Sequence, residues 1–504
     1  MNNANLNADI NANFDVTINL NKLYIAGQWL ENTNSATLDV INPATEDVVA
    51  QVACGSTEHV DMAVAAAKAA FPAWSATSSA IRSDIIKKIA SEMEKRQDEL
   101  TLAVSQTMGC PAHVASWLQI EGAIYAMALF AEHTGVTETQ EQGDKCIIVK
   151  EPIGVCGFIN PWNFPLHQFV GKVGAALAAG CTMVVKPSEQ TPWQDFIMTE
   201  IIASVLAEFN APAGVFNLVP GTGMIVGDAL SRHKDIDMVS FTGSTEAGIK
   251  VAQAAAPTVK RVMQELGGKS PFIISEDISE SASARNNLAG AVKYGVEDVM
   301  LNSGQSCNTL ARMLVPQALY KQAVELAKNT VSSLTVGMNN DAFLGPLSSK
   351  IHQQRVLSYI QLGIDEGATL ICGGIEAPEG FDKGFYIQPT IFTDVNNKMR
   401  IAQEEIFGPV LCMIPYQSIE QAIEIANDTP YGLSSAVFAK DDKSAINIAK
   451  SIRAGQCMIN GGEFNYLAPF GGYKQSGNGR EFTAMGVEEF LETKAMIYTT
   501  NASL

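Results

Sequence analysis

Residues 153–186 read IGVCGFINPWNFPLHQFVGKVGAALAAGCTMVVK, and this stretch decides the fold class. Two apolar runs of strand length, Gly154–Ile159 and Thr182–Lys186, flank a helix-length segment, Leu166–Ala179. An apolar strand followed by a helix and a second apolar strand is typical of a parallel sheet that is covered on both faces.

The same alternation continues toward the C-terminus. Further strands are predicted at Val215–Val219, Met238–Thr242 and Phe272–Ser275, with helices at Gln194–Glu208, Met224–Ser231 and Thr245–Ala256. We therefore predict an α/β fold that contains a doubly wound parallel-sheet dinucleotide-binding domain. A second α/β series begins near Glu280, with helices at Ala318–Ser333 and Ile351–Glu366 and strands at Ala311–Val315 and Val410–Pro415.

Length and charge limit the classes of function. A chain of 504 residues is too long for one hydrophobic core, so more than one domain is expected. Asp and Glu number 53 against 34 Lys and Arg, which gives a net charge of −19 and argues against nucleic acid and membrane surfaces as partners. No stretch offers roughly 18 uninterrupted apolar residues, and no apolar core precedes Lys22, so we expect neither a membrane span nor a targeting signal.

The nine cysteines form no CxxC pair and no Cys/His cluster. This pattern disfavours a disulfide framework and a metal site, and it favours reduced thiols and a cytoplasmic location.

Cys307 lies in the segment Asn302-Ser-Gly-Gln-Ser-Cys-Asn308, among Gly and small polar residues. Such surroundings leave room around a nucleophile and place backbone N–H groups that lower the pKa of the thiol. The same composition also fits a small residue in an ordinary turn, and this segment alone does not separate the two interpretations.

Two further segments carry side chains suited to acyl chemistry. Glu265 follows the β-rich run Lys260–Gln264 and precedes two glycines, so it is suited either to act as a base or to cap a helix. Asn163 lies between Pro161 and Pro165, where a fixed amide is suited either to stabilise an oxyanion or to cap a helix.

The remaining motifs suit a nucleotide. Lys186 and Glu189 follow a strand at the edge where doubly wound sheets bind nucleotides, and a carboxylate there repels a 2′-phosphate and so favours NAD over NADP. Gly243 and Ser244 open a helix whose backbone amides suit a pyrophosphate. The loops that contain Glu405, Phe407 and Phe470–Glu481 are rich in Gly and Pro, and singly each of these motifs fits an ordinary turn equally well.

In their order along the chain, these seven segments resemble the NAD(P)-dependent aldehyde dehydrogenase superfamily. The resemblance extends from about Lys22 to Thr499. It implies NAD-dependent oxidation of an aldehyde to a carboxylic acid, through a thiohemiacetal and a thioester that is hydrolysed. It also implies NAD as the cofactor, a small-molecule aldehyde as the substrate and a homodimer or homotetramer as the assembly.

The resemblance also implies roles for individual residues. Cys307 would be the nucleophile, Glu265 the general base and Asn163 the oxyanion donor together with the Cys307 backbone N–H, while Lys172 and Glu481 would relay protons. The cofactor would be held by Trp162, Lys186, Ser188, Glu189, Gly243, Ser244, Glu405 and Phe407. The substrate pocket would be lined by His167, Gln168, Gly171, Ser306, Asn308, the 461–467 loop and Phe470. Gly171 would widen the entrance, and His167, Gln168 and Asn308 would make the pocket polar. These residues favour a medium-sized aldehyde that is partly polar or aromatic. Broad tolerance for many aldehydes is the alternative, and the sequence does not separate the two.

The implied organisation has an N-terminal tail (1–21), an NAD-binding domain (22–135 and 153–274), a catalytic domain (275–484) and a small β oligomerisation element (136–152 and 485–504). In that element, Cys146–Lys150 and Ala495–Thr499 could pair across a subunit interface. One departure from the family is a longer stretch between Glu265 and Cys307. Its extra residues are expected at 278–290, in a surface loop or at a helix start, without effect on the site.

Two alternatives remain open from the residues. A coenzyme A-acylating dehydrogenase would share the nucleophile, although the presence of Glu265 favours hydrolysis. A non-catalytic binding or structural protein on the same fold would not need Cys307, Glu265 and Asn163 together.

Overall fold

The computed structural model describes residues 18–32, 36–138, 140–143, 145–281, 283 and 286–499. In these residues, 21 strands form four sheets. The strands are β1 (Ile18–Leu20), β2 (Lys22–Ile25), β3 (Gln28–Glu31), β4 (Thr37–Ile41), β5 (Val48–Ala53), β6 (Gln140–Gly143), β7 (Cys146–Pro152), β8 (Val155–Ile159), β9 (Thr182–Lys186), β10 (Phe216–Leu218), β11 (Met238–Thr242), β12 (Arg261–Glu265), β13 (Pro271–Ile274), β14 (Arg312–Pro316), β15 (Thr369–Cys372), β16 (Thr390–Thr393), β17 (Val410–Tyr416), β18 (Ala436–Phe438), β19 (Met458–Ile459), β20 (Gly477–Asn478) and β21 (Leu491–Ile497).

Helices cover the two larger sheets. The α-helices are α1 (Thr57–Ser75), α2 (Ser79–Lys95), α3 (Gln97–Met108), α4 (Ala112–Val114), α5 (Gly122–Phe130), α6 (Pro165–Ala179), α7 (Trp193–Glu208), α8 (Asp228–Arg232), α9 (Thr245–Ala255), α10 (Leu288–Met300), α11 (Gln317–Ser332), α12 (Lys350–Asp365), α13 (Arg400–Gln403), α14 (Ile419–Asn427), α15 (Asp442–Ala449) and α16 (Thr483–Glu488). Short π-helical or 3₁₀ segments lie at Ala115–Glu121, Ala131–Glu138, Gly223–Gly227, Ala256–Thr258, Glu276–Glu280, Leu301–Gly304 and Lys474–Ser476.

The first large sheet has the order β20-β12-β11-β8-β9-β10-β2-β3. Its five central strands, β8 to β12, run parallel, while β2, β3 and β20 pair antiparallel at the edges. Every residue of β8, β9 and β11 is buried, which is the reason that these strands are continuous apolar runs in the sequence. The predicted α/β fold with a doubly wound parallel sheet is therefore confirmed.

The second large sheet has the order β15-β16-β17-β14-β13-β18-β19, and all its pairs except β15–β16 are parallel. The position of β13 shows that one prediction is wrong. The sequence pattern had grouped Phe272–Ser275 with the strands of the dinucleotide-binding domain. β13 pairs with β14 and β18 instead. A short apolar strand carries no local mark of the sheet that it joins, so adjacency in the sequence was misleading.

A three-stranded sheet with the order β21-β7-β6 joins the two segments of the predicted oligomerisation element. β7 and β21 pair antiparallel within one chain, from Leu491 opposite Pro152 to Ile497 opposite Cys146. The structure therefore accounts for this pairing within the chain, whereas the sequence had suggested pairing across a subunit interface.

The N-terminal region forms a small sheet that was not predicted from the sequence. β1 lies inside the stretch 1–21 that was predicted to be a tail, and it pairs parallel with β5, which also pairs with β4. Residues 1–17 lie outside the described part of the chain.

One helical stretch, Ala112–Thr137, is long and apolar enough by length and composition to cross a membrane, although the sequence reading had found no candidate there. Half of its most apolar window is buried inside the protein. Its buried Phe130 packs in the main core, and its buried Gln119 donates to the backbone carbonyl of Asn163. These are the contacts of a core helix, which accounts for its apolar composition.

The longer segment 278–290 contains the end of the 3₁₀ turn Glu276–Glu280 and the start of α10, which Asn287 caps. Ile278 is buried in the core of the second sheet, and Lys440 forms ion pairs with Asp277 and Glu280. Residues 282, 284 and 285 lie outside the described residues.

Candidate active site

The site forms where the strand order of the first sheet reverses. The chain runs outward from β8 to β9 and β10, and then returns to β11 and β12 on the other side of β8. The carboxyl ends of β8 and β11 therefore border a crevice of the kind that binds nucleotides in such sheets. Asn163 follows β8, Gly243 follows β11, and Glu265 is the last residue of β12.

The loop that carries Cys307 has an unusual backbone. Asn302, Ser303 and Gly304 have φ angles of 54°, 56° and 70°, so three successive residues adopt the left-handed conformation. Strain of this kind persists only where neighbouring groups hold the backbone. Here, the Asn302 side chain donates to the carbonyl of Asn163 at 3.1 Å, and the Asn163 amide donates to the carbonyl of Gln305 at 3.1 Å.

Gln119 completes this network and was not predicted from the sequence. Its fully buried side chain donates to the Asn163 carbonyl at 3.1 Å and to the Asn302 side chain at 3.2 Å. A polar residue inside an otherwise apolar helix was the only signal in the sequence.

Glycines bring the Cys307 loop against its neighbours. A Cβ atom on Gly268 would clash with the backbone carbonyl of Cys307, and one on Gly304 would clash with the backbone of Gly408. The segments that follow Glu265 and Phe407 therefore both contact the Cys307 loop directly. Glycine at these positions is required by the close backbone approach.

Cys307 is partly buried, and burial raises the pKa of its thiol well above the ordinary value. The negative charges of Glu265, Glu405 and Glu481 raise that pKa further, while the Cys307 backbone N–H lowers it by a smaller amount. The prediction that backbone N–H groups would lower the pKa of this thiol is therefore wrong in its net direction, because desolvation outweighs them.

Glu265 is 2% exposed, and neither of its carboxyl oxygens has a hydrogen-bond partner among the described residues. Burial raises the pKa of this carboxyl well above its ordinary value, and the negative charge of Glu481 adds to the effect. A carboxyl in this environment resists ionisation and takes up a proton strongly after it has ionised.

Lys172 and Glu481 form an ion pair of 2.8 Å, with side chains 0% and 1% exposed. The Lys172 ammonium also donates to Thr242 Oγ1 at 2.7 Å and to Gln168 Oε1 at 3.2 Å. The charge of Glu481 raises the pKa of Glu265, the predicted base, and the charge of Lys172 lowers it.

The predicted adenosine side of the cofactor site lies at the end of β9. Lys186 Nζ donates to Glu189 Oε2 at 3.0 Å, and the Glu189 side chain is 38% exposed. Ser188 accepts from the backbone of Gln190. After strand β11, which β8 separates from β9, the Gly243 N–H donates to the Glu265 carbonyl at 3.1 Å, and Ser244 caps α9.

The predicted nicotinamide side brings together three segments that are far apart in the sequence, around Trp162, Gly268 and Glu405–Phe407. The rings of Trp162 and Phe407 meet edge to face, with their centroids 5.5 Å apart. Glu405 Oε1 accepts from the Gly268 N–H at 2.9 Å, and burial raises the pKa of Glu405 to about 7.

Two of the residues predicted to make the substrate pocket polar, His167 and Gln168, contact other groups of the protein. His167 Nε2 contacts the Leu118 carbonyl at 2.9 Å and the ring stacks on Tyr466, while burial lowers the pKa of His167 to about 4, so the imidazole is neutral near pH 7. The Gln168 carbonyl accepts from Lys172. Both polar groups are therefore engaged inside the protein, and Tyr466 and Phe464 add aromatic surface that the sequence indicated only as members of a loop.

The other predicted pocket residues surround the same region. Ser306 and Asn308 flank Cys307 and are partly buried. The backbones of Phe470 and Glu481 pair in both directions, at 2.9 and 2.7 Å. A Cβ on Gly171 would lie 3.2 Å from Glu481 Oε2, so this glycine leaves open the space beside that carboxylate.

Comparison with known proteins agrees with this arrangement. A sequence model described as "Aldehyde dehydrogenase family" matches residues 29–496. The chain belongs to the aldehyde dehydrogenase family. A 3-succinoylsemialdehyde-pyridine dehydrogenase from Pseudomonas sp. is 46% identical to this aldehyde dehydrogenase over 479 residues, which are 94% of this chain and 98% of the relative.

Solved aldehyde dehydrogenases share the fold. Aldehyde dehydrogenase C from Pseudomonas syringae, a mutant in complex with NAD⁺ and octanal, is 45% identical with a TM-score of 0.92, and the match covers 96% of this chain and 98% of that chain. An aldehyde dehydrogenase from Mycobacterium tuberculosis in complex with NAD⁺ is 40% identical with a TM-score of 0.92, covering 97% and 100%. The present protein is thus an NAD-dependent aldehyde dehydrogenase.

The residues present fit NAD. The end of β9 offers a cation and a partly exposed carboxylate that suit ribose hydroxyls. The 405–407 segment offers a buried carboxyl group and, together with Trp162, two aromatic rings. The start of α9 offers backbone N–H groups that suit a pyrophosphate.

Proposed function

We propose that this aldehyde dehydrogenase oxidises its substrate by covalent catalysis at Cys307, with hydrolysis of the resulting thioester assisted by Glu265. One observation carries the proposal: the segment that follows Glu265 packs directly on Cys307, since a Cβ atom on Gly268 would clash with the Cys307 carbonyl oxygen. The charge of Glu265 also raises the pKa of the Cys307 thiol, which supports the same arrangement.

The thiolate of Cys307 attacks the aldehyde carbon and forms a thiohemiacetal. The developing oxyanion receives hydrogen bonds from the Cys307 backbone N–H and from Asn163. The Asn163 amide carries two hydrogens, and one of them is engaged by the Gln305 carbonyl, which leaves the other for the oxyanion. The loss of such a donor typically slows the chemical step by about 10²- to 10³-fold.

Bound NAD supplies the hydride acceptor in this reaction. Lys186, Ser188 and Glu189 would hold its adenosine ribose, and Gly243 and Ser244 its pyrophosphate. Glu405, Trp162 and Phe407 would hold the nicotinamide side. The Glu189 carboxylate disfavours a 2′-phosphate, so we propose a preference for NAD over NADP.

The thioester on Cys307 is hydrolysed by a water molecule that passes its proton to Glu265. The raised pKa of Glu265 makes it a strong proton acceptor once it is ionised. Glu481, paired with Lys172, is the next acidic group along the buried path and would take the proton onward. The carboxylic acid then leaves.

For the substrate, we propose a medium-sized aldehyde with an aromatic or heteroaromatic group. The flat faces of Tyr466 and the neutral His167 support this class, as does Phe464. One relative carries a pyridine aldehyde in its name, and one structural neighbour was solved with octanal. A panel of aldehydes with NAD and with NADP tests the proposal, and a preference for short alkanals would contradict it.

We further propose a homodimer or homotetramer in the cytoplasm. We propose the domain boundaries expected from the sequence with three changes: β1 pairs with β5 and leaves the tail, β13 joins the catalytic domain, and β20 joins the first large sheet. The exposed strand β21 supports assembly. The absence of a disulfide at all nine cysteine positions, each inside the described residues, supports a reducing compartment.

Two variants test the chemistry. Cys307→Ala is expected to abolish NADH formation while NAD still quenches tryptophan fluorescence, and appreciable turnover would reject Cys307 as the nucleophile. Glu265→Gln is expected to retain a stoichiometric burst of NADH with slow subsequent turnover, because deacylation loses its base. An unchanged steady-state rate would argue against Glu265, and a coenzyme A thioester formed by the native enzyme would favour the acylating alternative.

A further inference from the structure

His352 lies in the first turn of α12 and touches both aromatic residues of the proposed nicotinamide side. Its ring centroid is 5.2 Å from that of Trp162 and 5.9 Å from that of Phe407, and both contacts are edge to face. With the Trp162–Phe407 contact, the three rings form a closed triangle. Edge-to-face contacts at these distances are favourable.

His352 also binds the backbone of Phe407. Its Nε2 lies 2.7 Å from the Phe407 carbonyl oxygen. Burial lowers the pKa of His352 to about 4, so the ring is neutral near pH 7. Because a carbonyl can only accept a hydrogen bond, Nε2 carries the single ring proton and donates it.

The backbone that receives this bond is strained. Phe407 has a φ of 64°, in the left-handed region that bulky residues seldom adopt. Such a conformation persists only when contacts around it hold it in place.

Two other residues near the start of α12, Arg355 and Val356, contact the segment that contains Phe407. Arg355 donates to the Glu405 carbonyl at 2.9 Å. Gly408 packs so closely on Val356 that a Cβ there would meet its side chain at 2.7 Å. His352 and Arg355, three residues apart on one helical face, thus donate to two carbonyls of the 405–407 segment.

We propose that His352 is a positioning residue, which holds Phe407 and Trp162 in the orientation that the nicotinamide half of NAD requires. This inference rests on the proposed cofactor roles of Trp162, Glu405 and Phe407. His352 acts through the Phe407 carbonyl and through ring contacts, not through contact with the reacting atoms.

Two substitutions separate the hydrogen bond from the ring. His352→Phe keeps an aromatic ring and removes the donor, whereas His352→Gln keeps a donor and removes the ring. We expect His352→Phe to raise KM for NAD by about fivefold, the effect of one lost hydrogen bond of about 1 kcal/mol. His352→Gln keeps the hydrogen bond but loses both ring contacts, so it should raise KM for NAD by less than His352→Phe does, and KM for the aldehyde should change little in either variant.

The affinity for NAD, measured in a variant that cannot react, gives a second test. In a Cys307→Ala background, NAD titration followed by tryptophan fluorescence should show the same weakening for His352→Phe, and Trp162→Phe identifies the part of the signal that Trp162 contributes. Replacement of Phe407 by Ala should abolish the effect of His352→Phe, since the two residues act in one unit. His113→Gln, at an exposed position, is the matched control and should leave both constants unchanged.

The outcomes distinguish this inference from the proposed function. If Trp162→Phe and Phe407→Ala leave NAD binding unchanged, the proposed cofactor roles fail. If those two variants weaken NAD binding but His352→Phe binds NAD as tightly as the native enzyme, the positioning role of His352 is wrong. Equal weakening of NAD and aldehyde KM, with a lowered Tm, would show a general structural role and would also overturn it.

Discussion

Glu265 is expected to make the native protein less stable as the pH rises, and Glu265→Gln removes this cost. The carboxyl is 2% exposed, its oxygens have no partner among the described residues, and the nearby Glu481 repels a negative charge. Burial and this repulsion raise the pKa of Glu265 well above its ordinary value of 4.5.

The sign follows from proton binding. Above pH 4.5 the unfolded chain releases the proton of this carboxyl while the folded chain keeps it, so unfolding becomes more favourable as the pH rises. Each pH unit over which this difference holds lowers the free energy of unfolding by about 1.4 kcal/mol. Glutamine does not ionise, so the variant should gain stability relative to native enzyme between pH 5 and pH 7 and gain little at pH 4.5.

The assay is the apparent Tm of native enzyme and variant, measured without cofactor at several pH values and one scan rate. For a chain of this length, each 1.4 kcal/mol corresponds to a rise in the Tm of roughly 1 to 3 °C. The pH dependence of the difference is the decisive quantity, because the cost of burying the new amide does not depend on pH.

Glu481→Gln is the matched control, since it changes a second buried carboxylate in the same region. This variant breaks the ion pair with Lys172, whose side chain is fully buried. Removal of one partner of such a pair typically costs 3–5 kcal/mol, so this variant should lose stability at pH 7. A Tm difference between Glu265→Gln and native enzyme that stays constant from pH 4.5 to pH 8 would refute the reasoning.

Three further predictions concern activity. First, kcat/KM should rise from pH 6 to pH 9, because burial raises the pKa values of Cys307 and Glu265 and both must lose a proton to act; a flat pH profile would contradict this. Second, Gly304→Ala should lower kcat more than tenfold, because Gly304 has a φ of 70° and a Cβ there would clash with Gly408; full activity of the folded variant would show that the loop adapts. Third, Glu189→Gln should raise kcat/KM with NADP while the activity with NAD falls only modestly, since one repulsive charge is removed; unchanged NADP kinetics would place the 2′-phosphate elsewhere.

Local pattern predicted much of the fold. The segments 154–159, 182–186 and 238–242 were recognised as strands because they are buried on both faces and therefore apolar throughout. The helix predicted at Leu166–Ala179 was confirmed as α6, which Gly180 ends in a left-handed conformation. Pattern did not show which sheet received β13, because that choice depends on partners far away in the chain.

The candidate site divides in the same way. Cys307, Glu265 and Asn163 were identified from their surroundings in the sequence, since Gly and Pro around a functional side chain leave a local trace. Gln119, Tyr466 and His352 leave no such trace, because each acts through contacts with a distant segment.

The chain by itself therefore determined the fold class, the family and the identity of the chemical groups, since these follow from hydrophobic periodicity and from short-range motifs. Only the tertiary structure decided the protonation of those groups and the hydrogen bonds of His167 and Gln168. Burial and the charges of distant residues shift the pKa of Cys307 and Glu265. Neither the burial of a side chain nor its distance from such charges can be derived from the sequence around it.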